Sequence, residues 1–401
     1  MQRTNNLIHL KMYKLFRNIL LLVMAVTMTS CGTMGLLVHT AKIYDGNQCY
    51  NCGDDVAHDT IHFVINSKNK MLLKAEINGK MDTVMYDSGV NSFTALMYTP
   101  STKPGGMKFY NHRVSGADMK SKIKVTTLPV KIKTDMVVSE GLGLATLNPE
   151  PSACEQESSI SQYDIIGFQG LNLSRYMIDF THNQMYAIPD SLCIDTTEFI
   201  PIKCKFERNV LWVYPQINGV EYECIFDTGN GAASFLLQDK QRVEAPKEGD
   251  YVFEGSYGQA VGGLTASQHF VCAPKERLSL VGGDKETDVL YVKSISNNNM
   301  GLKAIARYDW IIAGWGENPK VYVRPHANDE VKPLKTPAYK VSSSDGTLKI
   351  ITRRIDGNAR FKVGDRIISV NGEKIIEENI CHYYELLNKA QDWTEFEIRV
   401  R

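Results

Sequence analysis

The chain has 401 residues, and its 45 basic and 45 acidic side chains give a formal net charge of zero. No long run of one sign of charge appears. This argues against nucleic acid as a partner, because phosphate backbones are bound through clusters of Lys and Arg. The length is enough for two or three domains, each with its own core.

The N-terminus has the order of a secretion signal. Basic residues at Lys11, Lys14 and Arg17 precede the apolar run 19–26, which is too short to span a bilayer. Small residues and Cys31 follow. The pattern resembles a bacterial lipoprotein signal.

This resemblance implies a signal over residues 1–31, in which Cys31 is lipidated and begins the mature chain, and a tether over 32–60. Met12 is an alternative start, and an uncleaved membrane anchor is an alternative interpretation. Either interpretation places the rest of the chain outside the cytoplasm. The resemblance implies a lipid-anchored protein of the bacterial cell envelope, and the absence of acidic residues just after Cys31 points to the periplasmic side of an outer membrane.

Eight cysteines remain beyond Cys31, in a compartment where disulfides persist, and the sequence leaves open which are paired and which are buried thiols. Cys49, Cys52, His58 and His62 have the side chains of a zinc site. Their spacing fits no standard zinc finger, and His62 opens the strand-like segment IHFVI. We therefore expect a disulfide or free thiols here, and no metal.

The chain contains an internal duplication. Residues 76–93 (EINGKMDTVMYDSGVNSF) and 216–235 (QINGVEYECIFDTGNGAASF) share Ile-Asn-Gly followed at equal spacing by Asp-Ser/Thr-Gly. An Asn-Gly pair between two apolar segments predicts a β-hairpin, so each copy reads strand, turn, strand, acidic loop. A second pair, YDIIG ending at Gly167 and YDWIIAG ending at Gly314, predicts a matching strand and glycine.

The segments around these landmarks are strand-like, including 122–134 in the first copy and 266–274 in the second, so the chain is predicted to be mainly β. Residues 148–162 are polar and predict a surface loop. The segment 278–307 has no evident counterpart in the first copy. In the second copy, the chain after Gly314 also lacks an evident closing helix.

Paired Asp-Ser/Thr-Gly segments, each after an apolar strand, resemble the pepsin-like and retropepsin-like aspartic proteases. In that family two related lobes or subunits each give one such loop to a shared site. The resemblance covers roughly residues 63–323. It implies two related β-barrel lobes, 61–195 and 196–325, followed by a linker over 326–338. It also implies cleavage of peptide or protein substrates by Asp87 and Asp227, without a cofactor.

The chemistry explains why two acids are needed. Two adjacent carboxyl groups share one proton, so one acts as a base and the other as an acid, and together they activate a water. The resemblance gives supporting roles to the residues after each acid. Ser88 and Thr228 would hydrogen-bond across the loops, while Gly89 and Gly229 would let the loops turn.

The resemblance also implies a β-hairpin flap that covers the substrate. The segment 256–266 (SYGQAVGGLTA) follows Asp227 at a suitable distance, and Gly262 and Gly263 suit a mobile tip. Ser115 and Gly116 occupy the matching place in the first copy. Tyr257 is a candidate substrate contact, with ordinary packing on a strand as the alternative.

The C-terminal segment 339–401 resembles a PDZ domain, on the motif VGDRIISVNG and the helix-like ENICHYYELLNKA. An unrelated hairpin and helix is the alternative. The resemblance implies a small α+β domain with a peptide ligand, although no carboxylate-binding loop is recognisable. A non-catalytic, lipid-anchored peptide-binding or scaffold protein is therefore the alternative function. Two chains that each supply one acid are a third possibility.

Overall fold

The computed structural model describes residues 60–90, 95–97, 110–113, 122–136, 138–146, 154, 163–167, 175–188, 193, 195–207, 210–260, 263–313, 319–326, 336–343, 346–355 and 360–401. Throughout these residues the protein is mainly β, as the sequence predicts. We call the chain around Asp87 the first copy and the chain around Asp227 the second copy.

The first copy is built from strands alone in its described part. These strands are β1 (Thr60–Ile65), β2 (Met71–Ile77), β3 (Lys80–Asp87), β4 (Ala95–Met97), β5 (Tyr110–Arg113), β6 (Lys122–Lys133), β7 (Val138–Thr146), β8 (Ile165–Gly167), β9 (Arg175–Asp179) and β10 (Gln184–Ala187).

The second copy has strands and two short helices. The strands are β11 (Ile200–Ile202), β12 (Cys204–Glu207), β13 (Val210–Val213), β14 (Gln216–Ile217), β15 (Val220–Glu221), β16 (Cys224–Asp227), β17 (Phe235–Gln238), β18 (Tyr251–Gly255), β19 (Gln259–Ala260), β20 (Gly263–Leu264), β21 (Gln268–Ser279), β22 (Asp284–Val292), β23 (Asn298–Gly301), β24 (Tyr308–Ala313) and β25 (Lys320–Pro325). The helices are α1 (Lys240–Glu244) and α2 (Leu302–Ile305).

The C-terminal region has its own elements and its own core. It contains β26 (Tyr339–Ser342), β27 (Lys349–Arg354), β28 (Ile367–Val370), β29 (Glu373–Lys374), α3 (Ile380–Lys389) and β30 (Ile398–Val400). Its buried side chains, among them Tyr339, Phe361 and Trp393, form a cluster separate from the core that the two copies share.

The two copies have the same strand connectivity. In the first, β3 pairs in parallel with β8, β4 pairs with both β8 and β7, and β6 pairs with β7. In the second, β16 pairs in parallel with β23, β17 pairs with both β23 and β22, and β21 pairs with β22. Each parallel or antiparallel relation is repeated, so the duplication extends to the pairing of strands.

The copies meet in six consecutive antiparallel strands of one sheet, in the order β11, β25, β24, β9, β10, β1. Three come from each copy, and the junction is the pairing of β24 with β9. Trp310 of β24 is fully buried there, and its ring lies 4.8 Å from the ring of Phe226, edge to face. This contact connects the central strands to the residue directly before Asp227.

The predicted Asn-Gly hairpin turns are present in both copies. Asn78 and Asn218 have φ of 51° and 53°, and the glycines after them also have positive φ, as a tight hairpin turn requires. Each Asn also bonds a long neighbouring strand: Asn78 Oδ1 accepts from Lys131 N at 2.8 Å, and Asn218 Oδ1 accepts from Arg277 N at 3.0 Å. The repeated motif therefore fixes the same register twice.

The β-barrel form expected for the two lobes is not shown: the described residues are mainly β, and their strands are arranged in several sheets. The 13-stranded sheet runs from β11 to β5, and its first six strands, from β11 to β1, come from both copies.

The predicted match between YDIIG and YDWIIAG is also wrong. The partner of the acidic strand is β8 in the first copy but β23 in the second, where Asp227 aligns with Gly301. YDWIIAG instead forms β24, which pairs with β9 in the central sheet. The segment 278–307 is therefore no insert: it supplies β22, β23 and α2, and α2 is a closing helix directly after Gly301.

Two links connect the C-terminal region to the rest of the chain. Strand β27 pairs with β18 of the second copy, so the second sheet continues into β27 and β26. Cys154 of the first copy forms a disulfide with Cys381 of α3, across a sequence separation of 227 residues. The other described cysteines, Cys193, Cys204, Cys224 and Cys272, are free.

Candidate active site

The two Asp-Ser/Thr-Gly loops meet at the interface of the two copies. Each follows a buried apolar strand, β3 or β16, and each acid aligns with a glycine on a parallel neighbour, Gly167 or Gly301. A Cβ on Gly301 would lie 2.4 Å from the carbonyl oxygen of Ala233. Only glycine therefore allows this backbone approach beneath the second loop.

The loops exchange hydrogen bonds through their hydroxyl residues, both fully buried. Ser88 Oγ donates to the carbonyl of Phe226 at 2.7 Å and accepts from Thr228 N at 3.0 Å. Thr228 Oγ1 donates to the carbonyl of Tyr86 at 3.0 Å and accepts from Ser88 N at 3.0 Å. Four reciprocal bonds hold each loop against the other copy.

The carboxyl groups face each other across two glycines. A Cβ on Gly229 would lie 2.2 Å from Asp87 Cγ, and a Cβ on Gly89 would lie 2.7 Å from Asp227 Oδ1. Each carboxyl group thus lies against the glycine backbone of the opposite loop, where a side chain would clash with it. The two carboxyl groups are close enough for each to act on the pKa of the other.

Backbone and amide donors bond three of the four carboxyl oxygens of the pair. Gly89 N donates to Asp87 Oδ1, and Gly229 N donates to Asp227 Oδ1, each at 3.0 Å. Asn299 Nδ2 of β23 donates to Asp227 Oδ2 at 2.7 Å. The register places Ile165 of the first copy at the position of Asn299, so this side-chain donor serves Asp227 alone.

The surroundings of the pair raise the pKa of both acids. Burial raises the pKa of Asp87, while the charge of Lys70 and the Gly89 N–H oppose that rise. Burial and the neighbouring charge of Asp87 raise the pKa of Asp227 well above its usual range. Adjacent carboxyl groups of this kind hold one shared proton over a range of pH.

Lys70 and Asn299 were not among the candidates from sequence. Lys70 lies in the turn between β1 and β2, and its Nζ donates to the carbonyl of Gly229 at 2.9 Å. The signal in the sequence is weak, because a lysine in a polar turn is ordinary. Asn299 lies in the segment NNMGLKAIA. The signal available there was an apolar residue and a glycine followed by helix-forming residues.

The predicted glycine-rich hairpin exists as β19 and β20, and Gly263 has a φ of 120°. Its base is fixed by Thr265 Oγ1, which accepts from Tyr257 N at 3.1 Å. Tyr257 is only 7% exposed and packs edge to face on Phe270. Its burial favours packing beneath the hairpin over contact with a substrate.

Other candidate residues, Gly262, Ser115, Gly116 and Cys31, lie outside the described residues, as do Cys49, Cys52 and His58. Within the described part of the chain, no group of three or more His, Cys, Asp or Glu side chains is arranged to hold a metal. No helix in that part is long and apolar enough to cross a membrane.

A comparison with protein-family models finds no match to this chain, and no curated protein sequence matches it.

Proposed function

We propose that the protein is an aspartic-type endopeptidase that hydrolyses peptide bonds with Asp87 and Asp227. The observation that carries the proposal is that each carboxyl group lies against the glycine of the opposite loop, on loops that exchange four hydrogen bonds through Ser88 and Thr228. A cleft that only binds peptides has no chemical need for two buried acids that share a proton.

In the proposed reaction, a water lies between the two carboxyl groups. The ionised member takes a proton from the water, whose oxygen attacks the peptide carbonyl, and the protonated member donates to the carbonyl oxygen as charge develops there. The carboxyl group that took the proton of the water then donates it to the amine nitrogen as the C–N bond breaks, and the other carboxylate takes a proton from a hydroxyl of the tetrahedral intermediate as the C=O bond re-forms. The N–H groups of Gly89 and Gly229 and the amide of Asn299 keep the carboxyl groups aimed during both steps.

The proposal extends to the arrangement of the lobes and of the flap. We infer two pepsin-like lobes in one chain, supported by the repeated strand connectivity and the shared central sheet, and the hairpin β19–β20 is the flap of the second lobe. Both acids come from one chain, because the described loops already meet within it.

We also propose that 339–401 is a PDZ-like domain and that Cys31 carries a lipid in the bacterial envelope. The helix α3 beside β26 and the Asn371-Gly372 turn support the first part. Asn388 of α3 bonds both the N–H and the carbonyl of Val341. A peptide would have to displace this side chain to add a strand there, so the domain serves first as a structural support.

The test is cleavage of a mixed peptide library by the purified full chain in detergent, from acidic to neutral pH. Asp87→Asn and Asp227→Asn should each abolish cleavage, and a peptide analogue with a tetrahedral hydroxyl-bearing carbon should inhibit the wild type. Asp82→Asn, a partly exposed acid on the same strand as Asp87, is the matched control and should cut normally.

Cleavage that survives both dyad substitutions would overturn the proposal. Tight binding of peptides without cleavage, at any pH in the range, would instead favour the non-catalytic binding or scaffold protein.

A further inference from the structure

Lys70 is a charged side chain next to the acid pair that the proposed mechanism does not use. It belongs to the first copy, yet its Nζ donates to the carbonyl of Gly229 in the acidic loop of the second copy. The residue is partly buried; burial lowers the pKa of its ammonium group, while the charges of Asp87 and Asp227 oppose that fall. It therefore crosses between the copies at the level of the carboxyl groups.

Hydrogen bonds hold the turn that carries Lys70. Asn66 Oδ1 accepts from the backbone N–H of both Lys68 and Lys70, each at 3.0 Å. Asn69 has a φ of 54°, and its Nδ2 donates to the carbonyl of Gly231 at 3.2 Å. Bonds of Asn66 and Asn69 therefore hold the turn from which the Lys70 side chain extends.

The close fit of this turn to the second loop is shown by Gly231. A Cβ at this position would lie 2.5 Å from the carbonyl oxygen of Asn69 and 2.6 Å from that of Lys68. Backbone meets backbone at this point, so neither segment can move without the other. The turn and the loop form one unit across the interface.

We propose that Lys70 is a positioning residue of the acid pair: it holds the second loop through Gly229 and, by its charge, sets the pH range in which the pair works. This inference rests on the proposed function for its kinetic readout, and on geometry alone for its placement. A cation near a carboxyl pair stabilises every ionised form of that pair. Both ionisations therefore occur at lower pH than they would without Lys70.

Other charged groups around the pair do not duplicate this role. In the same turn, Lys68 is exposed. Strands β3 and β16 carry Asp87 and Asp227, whose charges act on Lys70. Tyr86 of β3 is a buried phenol, and burial raises its pKa. Strand β23 contributes the neutral amide of Asn299. Among these described groups Lys70 is the one cation that acts on both acids.

The experiment compares the pH dependence of kcat/KM for the wild-type full chain, Lys70→Met and Lys70→Arg. Methionine keeps an unbranched stem of similar length but removes the charge. We expect both limbs of the profile of Lys70→Met to move up by about one pH unit. Lys70→Arg should keep the limbs in place. Lys74→Met removes an exposed lysine of β2 and is the matched control.

A second readout does not depend on peptide cleavage. A small epoxide is opened by an ionised carboxylate, which becomes an ester while the ring oxygen takes a proton. Mass spectrometry then gives the esterified fraction of Asp87 and Asp227 against pH. The midpoint should rise by about one pH unit in Lys70→Met, and Lys70→Gln provides a second uncharged variant if the first folds poorly.

The two proposals fail in different ways. If no variant cuts any peptide but the epoxide midpoint moves, the proposed function is lost and the role of Lys70 stands. If Lys70→Met loses activity while both limbs and the epoxide midpoint stay at the wild-type pH, Lys70 is a structural residue only, and this inference is overturned.

Discussion

The contact between Gly229 and Asp87 gives the sharpest test of the site geometry. In Gly229→Ala, the new Cβ would start 2.2 Å from Cγ and Oδ2 of Asp87. The backbone of Gly229 is held by its N–H bond to Asp227 and by Lys70. The carboxylate of Asp87 must therefore retreat, by about 1.2 Å, to reach an ordinary contact of 3.4 Å.

A displacement of about 1 Å in a reacting group costs about a hundredfold in rate. We expect kcat/KM of Gly229→Ala to fall by at least that factor on a peptide selected from the library. Gly89→Ala is the graded control, because its Cβ would start 2.7 Å from Asp227 Oδ1 and demands a smaller movement. It should lose less activity than Gly229→Ala.

Near-UV circular dichroism and the melting temperature establish that each variant is folded before its rate is compared. The reasoning is refuted if both folded alanine variants keep activity within a few-fold of wild type. It is also refuted if Gly89→Ala is the more damaged of the two, since the order of the clashes fixes the order of the losses.

Three further predictions concern stability. Thr228→Val leaves the carbonyl of Tyr86 and a buried N–H without partners, so urea unfolding should show a loss of about 2–4 kcal/mol, and Thr228→Ser should restore most of it. Burial alone would raise the pKa of Asp309, but bonds from His326 and an arginine lower it to about 2. The stabilisation from this ionised carboxylate is therefore complete above about pH 4 and is lost as pH falls through about 2; Asp309→Asn should cost about 2 kcal/mol at neutral pH and almost nothing below about pH 2. A constant deficit across that range would contradict the charge argument. Cys381→Ser removes a long-range cross-link and should cost about 2–5 kcal/mol in thermal or urea unfolding, whereas Cys193→Ser, an exposed free thiol, should be neutral.

The sequence was informative wherever the signal was local and repeated. Asn78 and Asn218 predicted two hairpins because an Asn-Gly turn needs positive φ at both residues, a requirement met within a few positions of chain. The spacing to Asp87 and Asp227 then followed from the hairpin register. This much required no knowledge of distant strands.

The sequence was misleading where partners are remote. Strand β23 lies beside β16 in parallel, so its chain must return by a long route, and no local pattern marks Gly301 as the partner of Asp227. Tyr308-Asp309 of β24 led to the wrong match, because the same dipeptide begins YDIIG in the first copy. Lys70 was missed for the same reason, since its partner Gly229 lies 159 residues away.

The continuity of β18 with β27 decides how the C-terminal region can be studied. Gly255 and Ser256 lead into the hairpin β19–β20, and Ser256 N donates to the carbonyl of Ile351 at 2.9 Å. Thr352 Oγ1 donates back to the carbonyl of Ser256 at 2.6 Å. A truncation before residue 339 would therefore expose an unpaired sheet edge and would also remove the two bonds at Ser256, next to the hairpin. Lost activity in such a truncation would report damage to the part of the chain that carries the acid pair, and point substitutions on the far side of α3 are the clean way to separate recognition from support.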